Sequence, residues 1–142
     1  KASIDIAINF ANTGQTGRSS IPLRNRDTIQ RSIGEIRATY SSSRAFLRQS
    51  MAKVWESANK NGSASVEERI NLRLAATHGI RSAAGVVDAC YNMCGSSAIS
   101  ASNPIQRRFQ DIHVITQHIQ GHPINYETAG QFFLGLEPQG NF

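Results

Sequence analysis

The chain has 142 residues, enough for one domain with a real core, and its net charge of +5 rests mostly on arginine, because Lys1, Lys53 and Lys60 are its only lysines. Those arginines are scattered and have no aromatics interleaved with them, which argues against a nucleic-acid interface. No apolar run approaches a membrane span and no signal-peptide pattern is present, so the reading is a cytoplasmic chain with no membrane partner.

The chain begins at Lys1 and not at methionine, so it is expected to be part of a longer polypeptide. Cys90 and Cys94 lie four apart, on one face if that segment is helical. A disulfide framework, a zinc site or a redox pair would each want other spacing or more ligands, which leaves two buried thiols.

Residues 1–12 carry two patterns. Ile4, Ile6, Ile8 and Phe10 alternate as in a strand, while Ile4, Ala7, Ile8 and Ala11 fit one face of a helix. Residues 13–24 are rich in glycine and serine and read as a loop.

A long helix is predicted next, capped by Asp27 or Thr28. Its stripe is Ile29, Ile33, Ile36, Tyr40, Ser43, Leu47, Val54 and Ala58, and it stops near Asn61-Gly62. At 1.5 Å per residue it makes a rod of roughly 50 Å. Ser65 and Glu68 then form a capping box for a third segment. Its stripe runs through Val66, Ile70, Leu74, Thr77, Arg81, Ala84, Val87, Tyr91 and Cys94, with Gly79 and Gly85 expected to let a neighbour approach closely. Gly95 ends it, and a serine-rich loop over 96–102 follows.

Asn103 can cap a further helix, with Pro104 at the first helical position, where its missing N–H costs nothing. Ile105, Phe109, Ile112, Thr116 and Ile119 make its stripe, and its end is predicted near Gly121-His122-Pro123. A last short helix over about 125–134 precedes a polar tail, Glu137–Phe142. Long amphipathic helices on short connections, with nothing else reading firmly as strand, predict an all-α fold: an antiparallel four-helix bundle with short extra terminal helices.

The polar groups exclude much chemistry. His118 and His122 have the spacing of a zinc-protease helix, but Ile119 stands where its general-base glutamate belongs. The chain lacks the Glu-x-x-His pairs of di-iron bundles, a nucleophile elbow, paired carboxylates and a glycine-rich phosphate loop, so no metal is expected. His113 remains as a group for acid–base work, against the plainer reading of a helix histidine satisfied by Asp111 or Gln117. Arg107 and Asp111 read, at four residues' spacing, as a surface pair.

The run Ser102-Asn103-Pro104-Ile105-Gln106-Arg107-Arg108-Phe109-Gln110-Asp111-Ile112-His113, then Gln117-His118, and later Tyr126-Glu127, Gly130 and Leu134-Gly135, resembles a known domain. So do Leu72–His78, Val86–Ala89 and Gly95–Ala98. The resemblance is to the C-terminal helical domain of acyl-CoA dehydrogenase-like flavin monooxygenases, of the 4-hydroxyphenylacetate hydroxylase and dibenzothiophene monooxygenase types. It spans residues 2 to about 137 and implies that residues 2–12 are helical.

The resemblance further implies that residues 1–142 are the C-terminal bundle of a longer flavoenzyme whose N-terminal helical and middle β-domains lie outside this sequence. It implies a homo-oligomer, a tetramer, that uses reduced flavin (FMN or FAD) from a separate flavin reductase to oxygenate a small aromatic substrate. His113 falls on the histidine that assists oxygen transfer beside the flavin. Gly95, Ser96 and Ser97 fall on a loop contacting the flavin of a neighbouring subunit, while Arg107, Asp111 and His118 surround and support the site. Gln110 departs from the family's usual Arg-Asp run, which touches a local ion pair. The alternatives are an acyl-CoA dehydrogenase, one type of which would carry its proton-abstracting glutamate at Ile119, or a purely structural oligomerisation domain.

Overall fold

In the computed structural model, which describes residues 1–14 and 21–140, the chain forms five α-helices: α1 (Ala2–Thr13), α2 (Asp27–Asn61), α3 (Val66–Cys94), α4 (Pro104–Thr116) and α5 (Ile124–Phe133). Short 3-10 turns occupy Leu23–Asn25, Gly95–Ile99 and Ile119–Gly121. The described residues contain no strand. The all-α expectation therefore holds, and the ambiguous start is helix: Ile4, Ala7 and Ala11 are buried together, as the helical period requires. The middle of the predicted 13–24 loop, residues 15–20, lies outside the described residues, as do the last two of the polar tail.

Two compact units share these helices. The first comprises residues 1–41 and 82–114, the second 42–81 and 115–142. The first unit has an apolar core fed by four helices. Ile4 and Ala7 come from α1, Ile36 from α2, Val86, Cys90 and Cys94 from α3, and Ile105 from α4, with Ala98 of the turn. Cys90 and Cys94 are free thiols. Burial, with Cys94 beside it, pushes the Cys90 thiol up to about 11, and burial raises Cys94 as well.

The second unit is held differently. Here α2 and α3 run antiparallel, since Ser57 meets Glu68 and Leu47 meets Gly79, so one number rises as the other falls. The capping box forms as predicted: Glu68 N–H donates to Ser65 Oγ at 3.2 Å, and Ser65 N–H donates to Glu68 Oε2 at 2.8 Å. Ser57 Oγ also donates to Glu68 Oε1 at 2.5 Å. These hydrogen bonds hold the Glu68 carboxyl below its usual range.

Several expected positions shift. Helix α4 stops at Thr116, before the predicted Gly121 end; the chain turns into the 119–121 segment, where a Cβ on Gly121 would lie 2.9 Å from Ile80 Cγ2. Ile119 is consequently off the helix and exposed. Ala58 and Val66, at the ends of their rods, are also exposed. A Cβ added at Gly85 would meet open space, and one at Gly79 would make only an ordinary contact with Leu47 at 4.0 Å, so neither glycine is required by a close approach.

Candidate functional site

The first unit places an imidazole against a carboxylate. His113 on α4 and Asp88 on α3 meet with Nε2 and Oδ1 2.9 Å apart, their side chains 45% and 40% exposed. Helical spacing explains the arrangement. Phe109 precedes His113 by four residues and shares its face, while Tyr91 follows Asp88 by three and shares its face. The Tyr91 and Phe109 rings stack with centroids 4.5 Å apart, and the Phe109 and His113 rings meet edge to face at 4.6 Å. As 88 pairs with 113 and 91 with 109, α3 and α4 run antiparallel here. Below these rungs Cys94 and Ile105 share the apolar core.

Asp88 is the residue that sequence reasoning missed. His113 finds an acid partner, Asp88, on another helix. The available signal was the Asp88/Tyr91 spacing on a segment destined to pack against α4.

Arg107 and Asp111 do pair, with Nε and Oδ2 3.8 Å apart, but they are 88% and 62% exposed. Each lies two residues from Phe109 or His113, about 200° around the helix, on the face turned away from the ring pair. They form a solvated surface contact, and the structure does not bring them to His113.

His118 lies past the end of α4 in the second unit, where its Nδ1 accepts from the Gln120 N–H at 3.2 Å and caps the 3-10 turn. His122 Nδ1 similarly accepts from the Ile124 N–H at 3.2 Å. The two histidines therefore do not share a helix, and among the described residues no group of three or more His, Cys, Asp or Glu is placed to hold a metal.

Gly95, Ser96 and Ser97 form the exposed 3-10 turn after α3. Gly95 takes φ +56°, which a side chain would strain, and a Cβ there would meet open space. Asn103 joins this turn to α4: its Nδ2 donates to the Ser97 carbonyl at 3.0 Å while its Oδ1 accepts from the Ile105 N–H at 3.1 Å, the predicted cap. A cleft of about 530 Å³ opens beside it, lined among others by Phe10, Thr13, Ser97, Ser102 and Asn103. Counted along α4, ten residues separate Asn103 from His113, roughly 15 Å. One chain thus presents a hydroxyl-rich turn and an imidazole as two separated features.

Against the reduced flavin that the family resemblance implies, serine hydroxyls and a glycine turn would suit the neutral hydrogen-bonding groups of a ring or ribityl chain. The carbonyl end of α3, with its partial negative charge, disfavours a phosphate at the same place.

Polar groups in the second unit serve packing. Thr77 Oγ1 donates to the Gln120 carbonyl at 2.7 Å and accepts from Asn125 Nδ2 at 2.9 Å. Asn125 Nδ2 also donates to the Ile119 carbonyl at 2.9 Å, and Arg81 Nε donates to the Gly121 carbonyl at 2.8 Å. These bonds fasten the 119–121 turn to α3.

Comparison with known proteins gives a consistent result. The family model described as acyl-CoA dehydrogenase, C-terminal domain, matches residues 1–123. Indole-3-acetate monooxygenase of Pseudomonas putida is 31% identical over 139 residues, covering 97% of this chain and 36% of that protein. The oxygenase component of FADH(2)-dependent resorcinol hydroxylase of Rhizobium sp. (strain MTP-10005) is 28% identical over 123 residues, covering 81% of this chain and 29% of the relative. The crystal structure of 3-HSA hydroxylase from Rhodococcus sp. RHA1 superposes with a TM-score of 0.84 at 17% identity, over 97% of this chain and 35% of that one, a likeness of fold. The chain thus spans about a third of the length of these relatives.

Proposed function

The chain belongs to the acyl-CoA dehydrogenase C-terminal domain family, and we propose that it is the C-terminal helical domain of a flavin-dependent monooxygenase acting on a small aromatic or heteroaromatic substrate. The observation that carries this reading is the 31% identity to indole-3-acetate monooxygenase across 97% of the chain. The resorcinol hydroxylase relative is named as FADH(2)-dependent and as an oxygenase component, which supports reduced flavin as the cofactor and a separate flavin reductase as the partner.

Bound reduced flavin would supply the chemistry of oxygen activation, and the protein would bind, orient and exclude water. Gly95, Ser96 and Ser97 would hold a neutral portion of the flavin. His113 would accept and return a proton as the oxygen atom is transferred, since imidazole is the side chain suited to that exchange near neutral pH. With the turn and the imidazole well separated on one chain, the two would serve a flavin bound between subunits. Exposed Phe133, Leu134 and Leu136 past and at the end of α5, and exposed Met51 and Trp55 on α2, are apolar surface of the kind a subunit interface covers. A tetramer is the assembly expected. Among the described residues no helix is long and apolar enough to cross a membrane.

The test is to give the full-length protein reduced FAD or FMN, ¹⁸O-labelled dioxygen and a panel that includes indole-3-acetate and resorcinol. The account predicts one labelled oxygen atom in a hydroxylated product. Dehydrogenation of an acyl-CoA without oxygen incorporation would instead establish the dehydrogenase reading. The 142-residue chain alone should bind reduced flavin weakly or not at all, because most of the site is assigned to domains outside it.

A further inference from the structure

We infer that Asp88 is the positioning residue for His113, fixing both the plane of the ring and the nitrogen that carries its hydrogen. The inference rests on the reading of His113 given above, and it assigns a role to a residue outside the sequence-level site. The geometry is specific. Asp88 Oδ1 stands 2.9 Å from His113 Nε2, and an ionised carboxylate can only accept, so Nε2 must be the N–H. A neutral ring held this way carries its lone pair on Nδ1, which makes Nδ1 the atom through which a proton is taken up and returned.

Phe109 supplies the second constraint. Its ring meets the imidazole edge to face at 4.6 Å and 62°, and it is itself stacked on Tyr91 at 4.5 Å. Rotation of the imidazole out of the Asp88 hydrogen bond would break that contact too. The two constraints come from different helices, because Asp88 and Tyr91 stand on α3 while Phe109 and His113 stand on α4. The antiparallel packing of α3 on α4 is thereby converted into one orientation of one ring.

A merely structural ion pair between two helices would look similar at first sight. Yet both side chains are close to half exposed, and a solvated pair contributes little to stability. The large consequence of the contact is directional: it selects a tautomer and an angle at a ring that remains open to solvent.

The experiment compares full-length protein carrying Asp88→Asn, Asp88→Leu, His113→Ala or both of the last two. Crystal structures read the ring orientation, and ¹⁵N spectra of histidine-labelled protein, assigned by subtraction of the His113→Ala spectrum, read the tautomer. The Asn carbonyl still accepts from Nε2, so D88N should keep the ring in place and the Nε2–H form. D88L should let the ring rotate and mix the tautomers.

Coupled hydroxylation by D88L should fall about tenfold, the size typical of removing a ligand histidine's hydrogen-bond partner, with KM unchanged and D88N within about threefold of the native protein. In the His113→Ala background D88L should cost nothing more. An unchanged ring and tautomer in D88L, or D88N behaving as badly as D88L, would overturn the inference. If D88L disturbs the ring as described while His113→Ala leaves coupling intact, the positioning stands and the catalytic reading of His113 fails.

Discussion

The two units of this chain are held by different physics. In the first, Ile4, Ala7, Val86, Cys90 and Ile105 close an apolar core, and its polar chemistry lies at the surface, as the Asp88–His113 pair. In the second, buried Thr77 and Asn125 carry a hydrogen-bonded network to the carbonyls of Ile119 and Gln120. No buried side-chain nitrogen or oxygen among the described residues lacks a partner. The contrast teaches where function can reside. A satisfied buried network fixes a turn, whereas a half-exposed pair on an apolar base keeps one side toward solvent.

That contrast is tested first by cavity formation. Ile105→Ala empties a fully buried site in the apolar core and should cost about 2–5 kcal/mol, read as a lowered denaturation midpoint. Asn125→Ala attacks the second unit by leaving the Ile119 carbonyl and Thr77 hydroxyl short of a donor, at about 1–3 kcal/mol. Equal tolerance of both changes would mean that the two cores are not distinct.

A pH effect follows from Glu68. Its carboxyl is held below its usual range in the folded chain, so the unfolded chain takes up a proton first as pH falls. The stability it contributes is present above the unfolded value near 4.5 and is lost as pH falls through the folded value. Glu68→Gln should therefore flatten the stability profile below pH 4.5 in denaturant titrations, and an unaltered slope would remove the capping box from the account. The smallest effect is expected at Arg107→Ala, below about 1 kcal/mol and with no change in coupling, because its pairing with Asp111 is solvated. A large loss of coupling there would restore the pair to the site.

Most of the fold was readable because helix signals are local. The Ser65/Glu68 box, the Asn103-Pro104 start and the Gly95 stop each act within a few residues, and each lies where the pattern put it. At the N-terminus two local periods competed, and burial of Ile4 and Ala7 against the other helices decided between them. The end of α4 was not readable: the chain leaves the helix after Thr116 and brings Gly121 against Ile80, a contact between distant parts of the sequence.

The site divides in the same way. His113 was singled out by residue type, and its place on α4 was right. Asp88, twenty-five residues upstream, became its partner only through helix packing. The family resemblance groups Arg107 and Asp111 with it, and their two-residue offset places them on the opposite side of the helix from the imidazole.

We propose that His113 handles the proton in a flavin-dependent oxygenation. Its most direct test is the ratio of hydroxylated product to released hydrogen peroxide in full-length protein supplied with reduced flavin and dioxygen, native against His113→Ala. The ratio should fall about a hundredfold or more while flavin binding is retained, the size a positioned acid–base group contributes. An unchanged ratio would contradict it.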